Sequence, residues 1–79
     1  MSVAYVLVQC GIGYEMKILK ELLSLHFVKE SKGTFGFYDI LVKIEDQSEK
    51  KIEYDITKHI RQINNVITTT TLSVIPEQD

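Results

Sequence analysis

The run from Val3 to Cys10 is apolar on both of its alternating sides: Val3, Tyr5 and Leu7 on one, Ala4, Val6 and Val8 on the other. In an extended chain successive side chains point to opposite faces. The stretch from Tyr38 to Glu45 repeats the pattern, with Ile40, Val42 and Ile44 alternating against Leu41, Lys43 and Glu45. A sheet built around such strands must be covered twice. If helices take one face, the other stays sticky, and a partner sheet is its natural cover.

Between and after these strands the apolar period changes. From Tyr14 to about Leu25, Ile18, Leu22 and Leu25 share a face, with Leu19 and Leu23 beside them. Lys17, Lys20, Glu21 and Ser24 take the opposite side. This is an amphipathic helix of about three turns. Gly11-Ile12-Gly13 supplies the turn that leads into it, since glycine adopts turn conformations at little cost. His26 follows the helix and is expected to help end it.

Val28 to Thr34 reads as a polar, half-exposed strand, and Phe35-Gly36-Phe37 as the turn into the next. Ser48 is an expected N-cap, with Glu49 in the first turn behind it. Ile52, Ile56, Ile60 and Ile63 then form the clearest helical stripe in the chain. Asn64-Asn65 stops that helix, because asparagine tolerates a left-handed backbone. Val66 to Ile75, with four consecutive threonines, is the last strand, and Pro76 ends it. The order β-α-β-β-α-β predicts an α+β, ferredoxin-like sandwich, a four-stranded antiparallel sheet with two helices on one face. Residues 1–79 are expected to form a single domain.

A chain of 79 residues buries only about 60% or a little more of its unfolded surface. One cysteine, Cys10, rules out an internal disulfide, and His26 and His59 are too few and too far apart for a closed metal site. Apolar residues make up 44% of the chain. Together these features predict oligomerisation, in which a second copy buries what one copy cannot. The net charge of −2, with no basic stripe, argues against a duplex-binding surface. The N-terminal segment lacks a basic n-region and its apolar run is cut at Gln9, so neither a signal peptide nor a membrane span is expected, and the protein is expected in the cytoplasm.

No catalytic, metal or cofactor site emerges from the residues. Cys10 reads as a small core residue, and neither histidine is placed to serve it as a base. Gly11-Ile12-Gly13 is not a dinucleotide loop, because the third glycine would fall at Met16. Asp39, opening an apolar strand beside a glycine-aromatic turn, and the hydroxyls from Thr68 to Thr71 could together hold a small zwitterion. The plainer alternative is that Asp39 caps the turn and the threonines simply favour a strand.

The stretch from Gly33 to Ile40 resembles the turn of the Lrp/AsnC (feast/famine) ligand-binding domain, also called the RAM domain. Its signature of glycine, any residue, aromatic and aspartate falls here on Gly36, Phe37, Tyr38 and Asp39. The family's two last-strand threonines fall on Thr69 and Thr71, and Asn65 stands where the family often has glycine. The resemblance runs from Val3 to Ile75 and is to the stand-alone form, without a helix-turn-helix.

It implies pairing of two domains through their sheets, rings of four or five dimers, and an amino-acid effector held between dimers. Gly36, Tyr38, Asp39, Thr69 and Thr71 would be the ligand-binding residues, with Asp39 taking the ligand's ammonium group. Full-length Lrp/AsnC regulators are candidate partners, and the residues themselves lead to no cofactor, no enzymatic activity and no direct contact with nucleic acid or membrane. Two alternatives share the topology. One is a small dimeric α/β-barrel enzyme such as a monooxygenase, which needs a histidine or other polar group between helices and sheet. The other is a structural subunit that modulates full-length regulators.

Overall fold

A computed structural model of the chain describes residues 1–34 and 38–76, with side chains through residue 72. The elements follow in the order β1 (Ser2–Cys10), α1 (Glu15–Leu23), β2 (Val28–Gly33), β3 (Ile40–Asp46), α2 (Glu49–Asp55), a π-helical turn (Ile56–Ile60) and β4 (Val66–Pro76). The four strands form one sheet in the order β2-β3-β1-β4. Every neighbouring pair is antiparallel. This is the ferredoxin-like α+β fold expected from the order of elements.

The alternation in β1 and β3 decides what lies inside. Ala4, Val6, Val8 and Cys10 from β1 and Ile40, Val42 and Ile44 from β3 are buried against Ile18 and Leu22 of α1 and Ile52, Ile56 and Ile60 of the second helical segment. Register keeps the two strands in phase: Val6 faces Val42 and Ala4 faces Ile44, so both apolar sets point to the helix side. The opposite face carries Val3, Tyr5, Leu7 and Leu41, all still reached by solvent, with Tyr5 36% exposed. Glu30, Lys32, Lys43 and Glu45 flank this apolar row, and Lys43 lies 3.9 Å from Glu30 and 3.7 Å from Glu45. Such surface ion pairs add little stability. They do fix the charge pattern that a facing surface would meet.

The helices depart from expectation in three places. In α1, Ile18 and Leu22 are buried but Leu23 is 49% exposed, because the helix rotates it past the edge of the core. That helix is closed by Ser24 and not by His26. The Ser24 N–H donates to the Glu21 carbonyl at 3.1 Å and its hydroxyl to the same oxygen at 2.6 Å. His26 lies beyond the cap, exposed and edge-on to Phe27.

The third departure is the π turn. Ser48 caps α2 as expected, its Oγ accepting from the Lys51 N–H at 3.1 Å. The α-helix then gives way at Ile56, and the Arg61 N–H reaches back to the Ile56 carbonyl at 2.9 Å, an i to i+5 bond. The stripe explains this. Residues four apart advance about 40° beyond a full α-helical turn, so Ile52, Ile56 and Ile60 would drift off the core. The wider π turn offsets that drift, and all three isoleucines are buried. Asn65 has φ of 74°, the left-handed conformation expected where the chain turns into β4.

Beneath α2 lies a polar cluster inside the apolar layer. Asp55 is fully buried, and its Oδ1 accepts from Lys51 Nζ at 2.6 Å. Asp46 Oδ2 and Asp55 Oδ2 are both shielded from solvent, and Lys51 Nζ also lies 3.5 Å from Asp46 Oδ2. Burial pushes the Asp55 carboxyl above its usual range, and that carboxyl in turn pulls Asp46 below it. The opposed shifts mean that Asp46 gives up its proton before Asp55 does.

Candidate functional site

Three strands converge at the end of the sheet where β1 finishes, β3 begins and β4 leaves its first turn. Asp39 ties them together. Its N–H donates to the Val8 carbonyl at 3.0 Å, and its Oδ2 accepts from the Cys10 N–H at 2.8 Å. Its carbonyl accepts from the Thr34 N–H at 2.8 Å, and the Thr34 hydroxyl donates to the Tyr38 carbonyl at 2.7 Å. Asp39 therefore carries out the capping role that its position at a strand start allows. It remains half-buried, with its carboxylate at the rim of the sheet.

The residues expected to bind a ligand fall on two sides of the sheet. The Tyr38 hydroxyl lies 2.7 Å from the Thr70 hydroxyl. Thr70 stands opposite Leu7, so this contact lies on the open face. Thr69 and Thr71 stand opposite Val8 and Val6 and share the helix-side face. Tyr38 thus reaches β4 through Thr70, a residue that the two-threonine pattern passes over. Only the pairing register shows which of four adjacent threonines faces the turn. Gly36, with the turn Phe35-Gly36-Phe37, lies outside the described residues.

On the helix side, α1 and α2 pack on β1, β2 and β3, and leave the edge strand β4 nearly bare of helix contacts. The result is a cleft of about 350 Å³ lined by Arg61, Val66, Ile67, Thr68 and Thr69. Arg61 Nε donates to the Thr69 hydroxyl at 3.0 Å. Arg61 has no sequence signal of its own, since it stands between Ile60 and Ile63 of the isoleucine stripe like any exposed helix-end cation. On the open face, a shallower hollow of about 190 Å³ is bounded by Tyr5, Glu30, Lys32, Leu41 and Lys43.

The remaining reactive groups lie elsewhere. Cys10 is buried, and desolvation, reinforced by the charges of Asp39 and Glu15, pushes its thiol up to about 11. A thiol so held is a poor nucleophile. His26 and His59 are both exposed, His59 beside Phe27 and Tyr54. Neither occupies a cavity between helices and sheet. Among the described residues no group of three or more His, Cys, Asp or Glu side chains could hold a metal ion, and no helix is long and apolar enough to cross a membrane.

Fold and site together define a ferredoxin-like domain with one face closed by helices, one apolar face open, and a polar cleft at an edge strand. Solved structures share this architecture along the whole chain. FFRP-DM1 is 32% identical, with 91% of this chain and 96% of that one covered at a TM-score of 0.87. The hypothetical protein PHS023 from Pyrococcus horikoshii is 29% identical, with 99% and 93% covered at a TM-score of 0.90. AsnC from E. coli shares the fold at 22% identity and a TM-score of 0.86, and there the chain spans 52% of the longer protein. Neither the protein-family models nor the curated proteins yield a match. The chain belongs to the Lrp/AsnC family, and it corresponds to that family's RAM domain.

Proposed function

We propose that this domain is a small-molecule sensing and assembly module related to Lrp/AsnC regulators, which responds to an amino acid and does not itself bind DNA. The observation that carries the reading is the open sheet face. Val3, Tyr5, Leu7 and Leu41 form a contiguous apolar row on a domain too small to dispense with cover. Two copies would pack these faces together, and the dimers would gather into a ring of four or five. The effector would sit between dimers at the Asp39 end of the sheet, in contact with Gly36, Tyr38, Asp39, Thr69 and Thr71. Both helices spend their apolar faces on the sheet and the net charge is −2. That leaves no helix for a major groove and little charge for phosphates. Regulation would then pass through full-length partners.

Two measurements test this. Light scattering at micromolar concentration should find a dimer or a larger ring, and Leu41→Glu should return the protein to monomers. A stable wild-type monomer would refute the assembly. A thermal-shift screen against the twenty amino acids tests sensing. A ligand at one hundred times its Kd adds about 2.7 kcal/mol to the native state. For a domain of this size that raises Tm by roughly 10 °C or more, and a flat screen would refute the sensing role.

A further inference from the structure

We propose that the cleft at the β4 edge is a carboxylate site, in which the Arg61 guanidinium, steadied by Thr69, anchors an acid with a short apolar body. The proposal rests on the sensing role above and names the chemistry of its ligand. Three observations lead to it. Arg61 spends only Nε on the protein, in the 3.0 Å bond to Thr69 Oγ1. All ion pairs among the described residues are made by lysines, so no carboxylate of the described chain neutralises Arg61. Its two terminal amines are therefore left as a fork of donors, the geometry that matches a carboxylate with two parallel bonds.

The walls supply the rest of the match. Val66 and Ile67 offer apolar surface, and Thr68 and Thr69 offer hydroxyls. β4 is an edge strand, so outward backbone groups along it are open to a ligand. About 350 Å³ lies in the range of small-molecule sites. Asp39, by contrast, already accepts the Cys10 N–H on Oδ2. Arg61 is the charged side chain among the residues lining the cleft, so the formal charge there is positive and the group it selects for is the acid. An ammonium group would not be required for entry.

The test is an NMR titration with 3-methylbutanoate and, separately, with 3-methylbutan-1-amine, which keeps the branched body and replaces the acid by a cation. The acid should shift the Arg61 Nε–H and the amides of residues 66–69 saturably, and the amine should not. Arg61→Gln keeps a donor for Thr69 and removes the charge. It should weaken binding of the acid by about tenfold or more, the usual loss for a hydrogen-bonded charge, while Arg61→Lys retains part of it. Equal binding of acid and amine, or equal affinity of the acid for Arg61→Gln and the parent, overturns the proposal. Amino acids that shift Tyr38 and Asp39 equally in parent and Arg61→Gln would also overturn it, and would leave the sensing role standing.

Discussion

Replacing Asp55 tests whether Asp46 gives up its proton before Asp55 does. Asp55→Ala removes the carboxyl beside Asp46 and leaves Asp46 Oδ2, an oxygen shielded from solvent, with only Lys51 Nζ at 3.5 Å, too long for a full hydrogen bond. An orphaned buried acceptor costs about 1–3 kcal/mol. The bond to Lys51 adds little, because that ammonium stays in water. For a domain of this size such a loss lowers Tm by roughly 4–20 °C. Asp55→Asn should behave differently. Its amide can donate to Asp46 Oδ2 while its carbonyl still accepts from Lys51, so its stability should lie within about 1 kcal/mol of the parent.

The pH profiles separate the two cases further. The Asp55 carboxyl is raised in the folded state, so its contribution is fully present below the unfolded value of about 3.9 and is lost as pH rises through the folded value. Asp46 is lowered, so its contribution is present above about 3.9 and is lost as pH falls through its folded value. The parent should therefore lose stability on the alkaline side of about pH 4, by at most about 1.4 kcal/mol per pH unit for one proton. Asp55→Asn should lose stability on the acid side only, because only the Asp46 contribution remains. Urea unfolding from pH 3 to 8 at fixed protein concentration reads this directly. Parallel profiles for parent and Asp55→Asn, or equal destabilisation by Ala and Asn, would refute that order of deprotonation.

Three other expectations follow from the packing. Ile60→Ala empties a fully buried position beneath the π turn and should cost about 2–5 kcal/mol in chemical unfolding; a cost under about 1 kcal/mol would mean the turn collapses into the space. Asp39→Ala leaves the Cys10 N–H without its acceptor and should cost about 1–3 kcal/mol by the same measurement; if Asp39 also holds the effector's ammonium, calorimetry should show amino-acid binding weakened by more than about tenfold. Cys10, buried with its thiol raised to about 11, should react with a thiol-specific disulfide reagent at pH 8 only as fast as the native fold opens; rapid labelling of the folded protein would contradict its burial.

The architecture was legible in the sequence because hydrophobic period is a local property. Alternation in β1 and β3, the four-and-three spacing of Ile18, Leu22 and Leu25, and the run of isoleucines from Ile52 to Ile60 each report a face before any tertiary contact forms. So do the Ser48 cap and the left-handed Asn65, since both are set by the chemistry of one residue and its near neighbours. The motif around Tyr38 and Asp39 drew attention to the end of the sheet where its aspartate ties β1 to β3. Its division of labour was not legible. Thr68 to Thr71 are chemically identical, and an irregular pairing with β1 on either side of them decides which hydroxyl meets Tyr38.

What the sequence alone determined, then, is the set of elements, their order, and the surplus of apolar surface on the second sheet face. Tertiary structure decided the rest. The π turn arises because a four-residue stripe must stay on a flat sheet. The opposed shifts of Asp46 and Asp55 arise because β3 and α2 bring two carboxyls out of water together. The cleft at Arg61 exists because two helices cover three strands and leave the edge of the fourth exposed. Each depends on residues far apart in the chain, whose proximity no local pattern encodes.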